Sequence, residues 1–419
     1  MGILCIIHFV SPEFTMSVAQ KIIAQADETP TPSRTIVFAL AFGAGSAVAS
    51  IYYTQPVLNL ISSELNIGLG TTGLIPTLTM TGYALGILFL SPLGDRYDRR
   101  MLIVLKSIFL AAMLFLGSLS NSLNSLLLTG LMIGVAATLA QDIVPAAAIL
   151  APKERQGKTI GTVMTGLLVG ILLSRTISGF IADQFGWRLV FQLAAVDILI
   201  VALALWKILP KFKIHAQMSY GGLLLSLAHL WKQHAELRSA ALAQAFLAVA
   251  FSAFWSTLSM ILDQHYQLGS DVAGAFGLLG AAGALMARYA GVLSDHHGPA
   301  MVTRLGASLL IASFVAMSFV PFLPGTTAQL ILLALGTIGF DLGMQAALVS
   351  HQTIVYRIAP EARSRLNAVL FTVMFIGMAS GSALGTQLFA MAGYQAVIGL
   401  GIVAGLISLI IRFRAHSSQ

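Results

Sequence analysis

Four ionisable side chains interrupt otherwise apolar stretches of this chain: Asp142, Arg175, Asp197 and Asp341. A charge at the centre of a membrane-spanning helix costs roughly 2.5–3.5 kcal/mol on insertion scales, so each is read as a functional position that needs a partner or a cargo. A carboxylate there can load and release a proton or hold a cation, and a guanidinium can hold a carboxylate. Asp142 and Asp341, the latter with Gln345 one turn away, are the candidates for proton or cation coupling. The other reading of each is a structural hydrogen bond to a neighbouring helix. Arg175 is either an anchor for an anionic substrate group or half of a structural ion pair with Asp197, which lies within roughly 4 Å of the same depth on a helical hairpin. Lys106 and Arg288 fall near the ends of their apolar segments, where long cationic side chains snorkel to water. Tyr52, Tyr53, Gln55 and Pro56 are echoed about 202 residues later by Phe254 and Trp255. Such groups can wall a cavity for amphipathic or weakly polar molecules and bind cations through ring faces; the tyrosines also suit an interfacial belt.

The elements that must carry these residues are membrane helices. The chain is 9% charged and 57% hydrophobic, with mean hydropathy +0.87, whereas a soluble domain is about a quarter charged. The apolar stretches are continuous and do not alternate at ten-residue spacing, which favours helices over a barrel. Twelve spans are predicted, at 35–60, 71–93, 101–120, 125–150, 159–182, 187–209, 239–262, 273–293, 300–322, 328–357, 366–390 and 394–411. The polar segment 210–238 divides them into two halves, 35–209 and 239–411, and contains an amphipathic stretch around Leu223 to Lys232 suited to a membrane surface. Residues 1–34 and 412–419 are tails. Ile3 to Val10 is too short to span, and without a basic flank or small-residue cleavage site it is not a signal peptide. Either Met1 or Met16 serves as the native start. Cys5 is the single cysteine, so no intramolecular disulfide is possible.

Two short loops are duplicated. Gly94-Asp95-Arg96-Tyr97-Asp98-Arg99-Arg100 is echoed by Gly291 to Gly298 with Asp295, and Ala151-Pro152-Lys153-Glu154-Arg155 by Ala359-Pro360-Glu361-Ala362-Arg363. A duplicated six-helix unit is the simplest explanation. Basic residues fill alternate loops, while the opposite loops carry Glu64, Asp183, Asp263, Asp271 and only Arg188. The positive-inside rule then places both termini and the central linker in the cytoplasm. The net charge of +7 is a topology signal; its dispersion over loops excludes a nucleic-acid stripe. No phosphate-cradling loop, H-E-x-x-H or nucleophile elbow is present, and the histidines are scattered mostly in loops, so an enzyme, a cofactor and a metal site are not expected.

From about residue 35 to 411 the chain resembles the major facilitator superfamily. The first loop resembles that family's signature between helices 2 and 3, with Ser91 in place of its first glycine and Asp98 in place of its second; the second copy keeps Gly291, Asp295 and Gly298. The resemblance implies a cytoplasmic latch between the halves, carried by Asp95, Arg96, Arg100 and Asp295. An aspartate facing a helix N-terminus gives that role a physical basis. Plain positive-inside anchoring is the other reading. The fifth span carries Gly161, Gly166, Gly170, Ser174, Ser178 and Gly179, a small-residue stripe that allows close helix contact. The drug:proton antiporter branch has Gly-Pro and Gly-Gly where this chain has Ser174-Arg175 and Ser178-Gly179, and an arginine near Gly130. The best match is a poorly characterised, arabinose-efflux-like group within that branch. In the resembled fold helices 1, 4, 7 and 10 line the cavity, so Asp142 and Asp341 would face it.

The expectation is an all-α, twelve-helix membrane protein of two pseudo-symmetric halves in the cell inner membrane, monomeric and without cofactor. It would work by alternating access, as a proton-coupled exporter of a small amphipathic organic molecule. A facilitator or symporter for a small metabolite, and a non-transporting receptor that keeps the fold, are the alternatives. Site expectations are Asp142 and Asp341 for coupling and Tyr52, Tyr53, Gln55, Arg175, Phe254, Trp255 and Gln345 for the cavity.

Overall fold

The computed structural model describes residues 32–152, 155–212, 219–359 and 362–417, without the side chains of 281, 282, 284, 285, 287, 288, 416 and 417. The expectations for Ile3 to Val10, Cys5, Met16 and the Arg288 side chain therefore fall outside the described residues. Twelve membrane-length passes run through the described chain: α1 (Arg34–Ala49, continued by Leu58–Leu65), α2 (Leu69–Asp95), α3 (Arg99–Ser118), α4 (Leu123–Leu150), α5 (Gln156–Phe185) and α6 (Trp187–Ile208), then α7 (Ala235–Tyr266), α8 (270–297), α9 (Pro299–Ser318), α10 (Thr326–Ile358), α11 (363–392) and α12 (394–417). A further helix, Tyr220–Gln233, lies between the sixth and seventh. The last two passes are separate helices that meet at a kink at Gly393, whose φ of 69° is open to glycine at little cost.

Several passes are broken, and in α1 and α4 a proline supplies a local cause. In α1 the helix gives way at Ser50 to a run of i→i−3 bonds, Tyr52 N to Ala49 O and Gln55 N to Tyr52 O, before the short helix Gln55–Val57. Pro56 lacks an amide hydrogen and its ring would clash with the carbonyl of Tyr52. The predicted span 35–60 is thus interrupted within the pass, which runs on to a left-handed cap at Asn66. In α4 Pro145 deprives the Gln141 carbonyl of its partner, and the helix axis is interrupted at Thr138. In α8 a tight 3-10 stretch, Phe276–Gly280, separates Ser270–Ala275 from Ala281–His297.

Small residues set how the passes pack. On α5, Gly166 and Gly170 rest against the backbone of Ala41 and Gly45 on α1, and on α11 Gly377 and Gly381 rest against Ala245 and Val249 on α7. A methyl at any of the four would meet a carbonyl, which is the small-residue contact that brings membrane helices close. The same contact in both halves is the duplication seen in three dimensions.

The bundle has a basic end and an acidic end. At the acidic end Glu64 accepts from Trp187 Nε1 at 2.7 Å and pairs with Arg188, tying the close of α1 to the start of α6. The halves meet there too. Ser382 and Thr386 of α11 donate to the carbonyls of Gly73 and Gly70 on α2, Gln387 donates to Gly70 O, and Ser259 of α7 donates to Gln55 O. Thr176 of α5 donates to Gly274 O of α8 at 3.0 Å. Toward the basic end the linker helix 220–233 is tied to the first half, its Tyr220 hydroxyl donating to Phe89 O at 2.8 Å. Leu227 and Leu230 of that helix pack on Leu237, Leu366 and Leu370.

Candidate functional site

The site is built around the break in α1. Because the backbone there is not helical, Tyr52 and Gln55 both turn toward α5 and α7. Arg175 of α5, 2% exposed, donates from Nε to Gln55 Oε1 at 2.8 Å. Its guanidinium carbon stands 4.1 Å from the Trp255 ring centroid, 4.7 Å from Tyr52 and 5.6 Å from Phe251. A desolvated cation over a ring gains about 2 kcal/mol, and three rings hold this one. Trp255 in turn points Nε1 at Asp341 Oδ1, 3.5 Å away in the middle of α10. The Asp341 carboxylate lies near enough for its field to act on both Arg175 and Tyr52. Gly280, in the tight stretch of α8, closes over Asp341 Oδ2. Two donors here, Arg175 Nη2 and Gln55 Nε2, are buried with no partner among the described groups.

The arrangement therefore offers two unpartnered N–H donors, aromatic faces and a carboxylate that forms no ion pair within 4 Å among the described residues. It can hold an acceptor-bearing organic molecule and a proton. Among the described residues no three His, Cys, Asp or Glu side chains converge as a metal site.

Not every expected site residue reaches the centre. Arg175 and Asp197 do not pair. Successive residues on a helix point about 100° apart, so Arg175 faces the centre while its neighbour Ser174 faces a lateral groove between α1, α5 and α6, where Asp197 sits with Tyr53 and Ser46. Tyr53 accordingly belongs to that groove and not to the central site. Phe254, likewise rotated from Trp255, is fully buried and packs on Phe340 and Phe314, with centroids 4.9 and 6.3 Å away. Gln345 is half-buried beside Gly283.

Lys106 does not snorkel. Its Nζ is 2.6 Å from Asp142 Oδ2, and both side chains are buried. Asp142 thus does not join Asp341 in the centre. It belongs to a network at the basic end, where Asp95 pairs with Arg99 at 2.7 Å and Gly94 leaves room for Arg99 Nη1 and Asp142 Oδ1 to approach from two sides. The latch residues stay within their own half in this conformation: Arg100 donates to Trp206 O and covers the Trp206 ring at 4.8 Å. Asp95, Arg96 and Asp295 are exposed.

Sequence reasoning missed Phe251, one turn before Trp255 on the same face, a spacing that could have revealed it. It also missed a buried pair on α7 and α10, where His351 Nδ1 lies 2.8 Å from Gln244 Oε1. Both interrupt apolar runs in sequence, but His351 was masked by the reading of histidines as loop residues.

Twelve passes in two like halves, closed around a polar centre at mid-depth, are the architecture of a secondary transporter. The family model of the Major Facilitator Superfamily matches residues 40–350, and the chain belongs to that family. It is a multi-pass membrane transporter and not an enzyme. It is 37% identical over 388 residues to the protein described as uncharacterized transporter YgaY of Escherichia coli O157:H7, covering 92% of this chain and 97% of that one. It is 29% identical to the probable transporter SCO4007 of Streptomyces coelicolor, over 87% and 84% of the two chains. Among solved structures, it superposes on a bacterial homolog of the human lysosomal transporter Spinster, inward-facing and unoccupied, with TM-score 0.75, 17% identity and coverage of 91% and 96%.

Proposed function

We propose that the protein exports a small amphipathic organic molecule by proton-coupled alternating access. It would act as a monomer in the cell inner membrane, with its basic end and both termini in the cytoplasm. The observation that carries the coupling is the contrast between the two buried aspartates: Asp142 is paired with Lys106 at 2.6 Å, whereas among the described residues Asp341 forms no ion pair within 4 Å, meets the Trp255 N–H at 3.5 Å and feels Arg175 only from farther off. A carboxylate with no directly bonded counter-ion in a low-dielectric centre is the natural proton carrier. Tyr52, Phe251 and Trp255 supply the apolar walls. A substrate that presents a cationic or donor group to Asp341 competes with the proton there, and the two are exchanged. The paired donors Arg175 Nη2 and Gln55 Nε2 favour a second reading. A substrate carboxylate held by them would be best bound when Asp341 is protonated and its own claim on Arg175 is relaxed, which gives co-transport.

In this reading the structure is one of two alternating states, sealed at the acidic end by α1–α7, α2–α11 and α5–α8 contacts. A panel of amphipathic amines and acids, tested in proteoliposomes under imposed pH gradients of both signs, separates the readings. Exchange predicts flux opposite to the proton gradient, and co-transport predicts flux along it. Asp341→Asn should abolish gradient-driven flux and leave substrate exchange intact. Full gradient-driven transport by Asp341→Asn would remove the coupling role from Asp341 and place coupling at another residue.

A further inference from the structure

A second cavity, of about 590 Å³, lies at the basic end between the starts of α7 and α9 and the ends of α8, α10 and α12. Its ionisable lining is Arg304, Arg357, Arg412, His297 and a single carboxylate, Glu236. Arg304 and Arg412 stand within electrostatic reach of each other. Both donate hydrogen bonds to neutral groups: Arg304 Nε donates to Ala300 O at 3.1 Å, and Arg412 donates to Thr303 Oγ1 at 3.3 Å and Ser239 Oγ at 3.2 Å. Glu236 lies within electrostatic reach of Arg412, so one carboxylate faces three arginines, and gathering that excess of like charge in one cavity is unfavourable unless a further anion joins them. Gly298 to Met301 add the first turn of α9 to the wall, where main-chain amides without helical partners favour the same sign of ligand.

The rim says what the anion is attached to. Met301, Leu305 and Phe413 expose apolar surface beside the cavity, at 41%, 48% and 52%, and the Arg304 guanidinium lies 5.2 Å from the Phe413 ring. Charge inside and apolar surface on the lip match a headgroup with its acyl chains. We propose that this cavity binds the phosphate of an anionic phospholipid, independently of the central site. Basic pockets between membrane helices are suited to such headgroups.

Purified protein in detergent would be loaded with phosphatidylglycerol or phosphatidylcholine, and retained lipid counted by native mass spectrometry. The wild type should keep phosphatidylglycerol selectively, and Arg304→Gln and Arg357→Gln should each bind it about fivefold more weakly, with Arg304→Lys close to wild type. Equal retention by the Arg304→Gln/Arg357→Gln double variant overturns the proposal. So does protection of the wild type by inorganic phosphate equal to that by the lipid, because the ligand is then a soluble anion. A photoactivatable phosphatidylglycerol on the wild-type protein covers the case of a variant that does not fold. Labels must map to α9, α10 or α12 around the cavity, and labelling only elsewhere counts against the site.

Discussion

Arg175 shows what charge reading in a membrane sequence delivers and what it leaves out. Apolar context marked it as costly, but its partner depended on which way one helix face turned, and a shift of one residue exchanges the central site for a lateral groove. The same blindness hid the Lys106–Asp142 pair, whose members are 36 positions apart in sequence. Removing one member of a buried pair leaves a bare charge and typically costs about 3–5 kcal/mol. Lys106→Ala should therefore lower thermal stability strongly, and Lys106→Ala/Asp142→Ala should lower it less than the single change; a double variant less stable than Lys106→Ala would contradict the pair. Arg175→Lys keeps the charge but loses the planar fork that bonds Gln55 and stacks on three rings. A loss of about 2 kcal/mol, or roughly 30-fold, in substrate affinity is expected in exchange assays. Affinity unchanged by the substitution would show that the stacking does not serve binding.

At the scale of elements, the positions of the passes were legible because hydropathy over about 20 residues is a strong signal. Their breaks were not. A sliding reading of apolar character does not register that Pro56 withdraws one amide and displaces one carbonyl, yet that event aims Tyr52 and Gln55 inward. Nor did the apolar text around Phe276 foretell the tight stretch that lays Gly280 on Asp341. Pro56→Ala should let α1 run straight, raising thermal stability while reducing flux, since Tyr52 and Gln55 would rotate off Arg175. Flux equal to that of the wild type would show that the break is not needed to place them. The glycine contacts make a parallel test: Gly381→Val should press on the Val249 carbonyl and destabilise by about 1–3 kcal/mol, read as a lowered melting temperature.

For the whole molecule, the duplicated loops announced two halves, and the paired contacts of α1 on α5 and α7 on α11 bear the duplication out. The sequence held no sign of which end would be sealed, because a conformational balance belongs to contacts between halves and not to either half's pattern. Cysteines placed at Gly70 and Gln387, in a background where Cys5 is replaced, should form a disulfide that halts flux, with reduction restoring it. Free flux in the oxidised form would mean that this end does not need to open.

The acceptors at that seal are almost all main-chain carbonyls: Gln55, Gly70, Gly73 and Gly274 offer backbone oxygen, while Ser259, Ser382, Thr386, Gln387 and Thr176 supply the donor side chains. No substitution can delete a carbonyl, so one side of the seal is fixed and the other is adjustable one donor at a time. A hydrogen bond of this kind contributes about 1 kcal/mol net, enough to move a two-state ratio roughly fivefold. The resting position of the transporter can thus be graded by single changes such as Ser382→Ala that never touch the residues holding substrate, and its pace can drift in evolution separately from its selectivity.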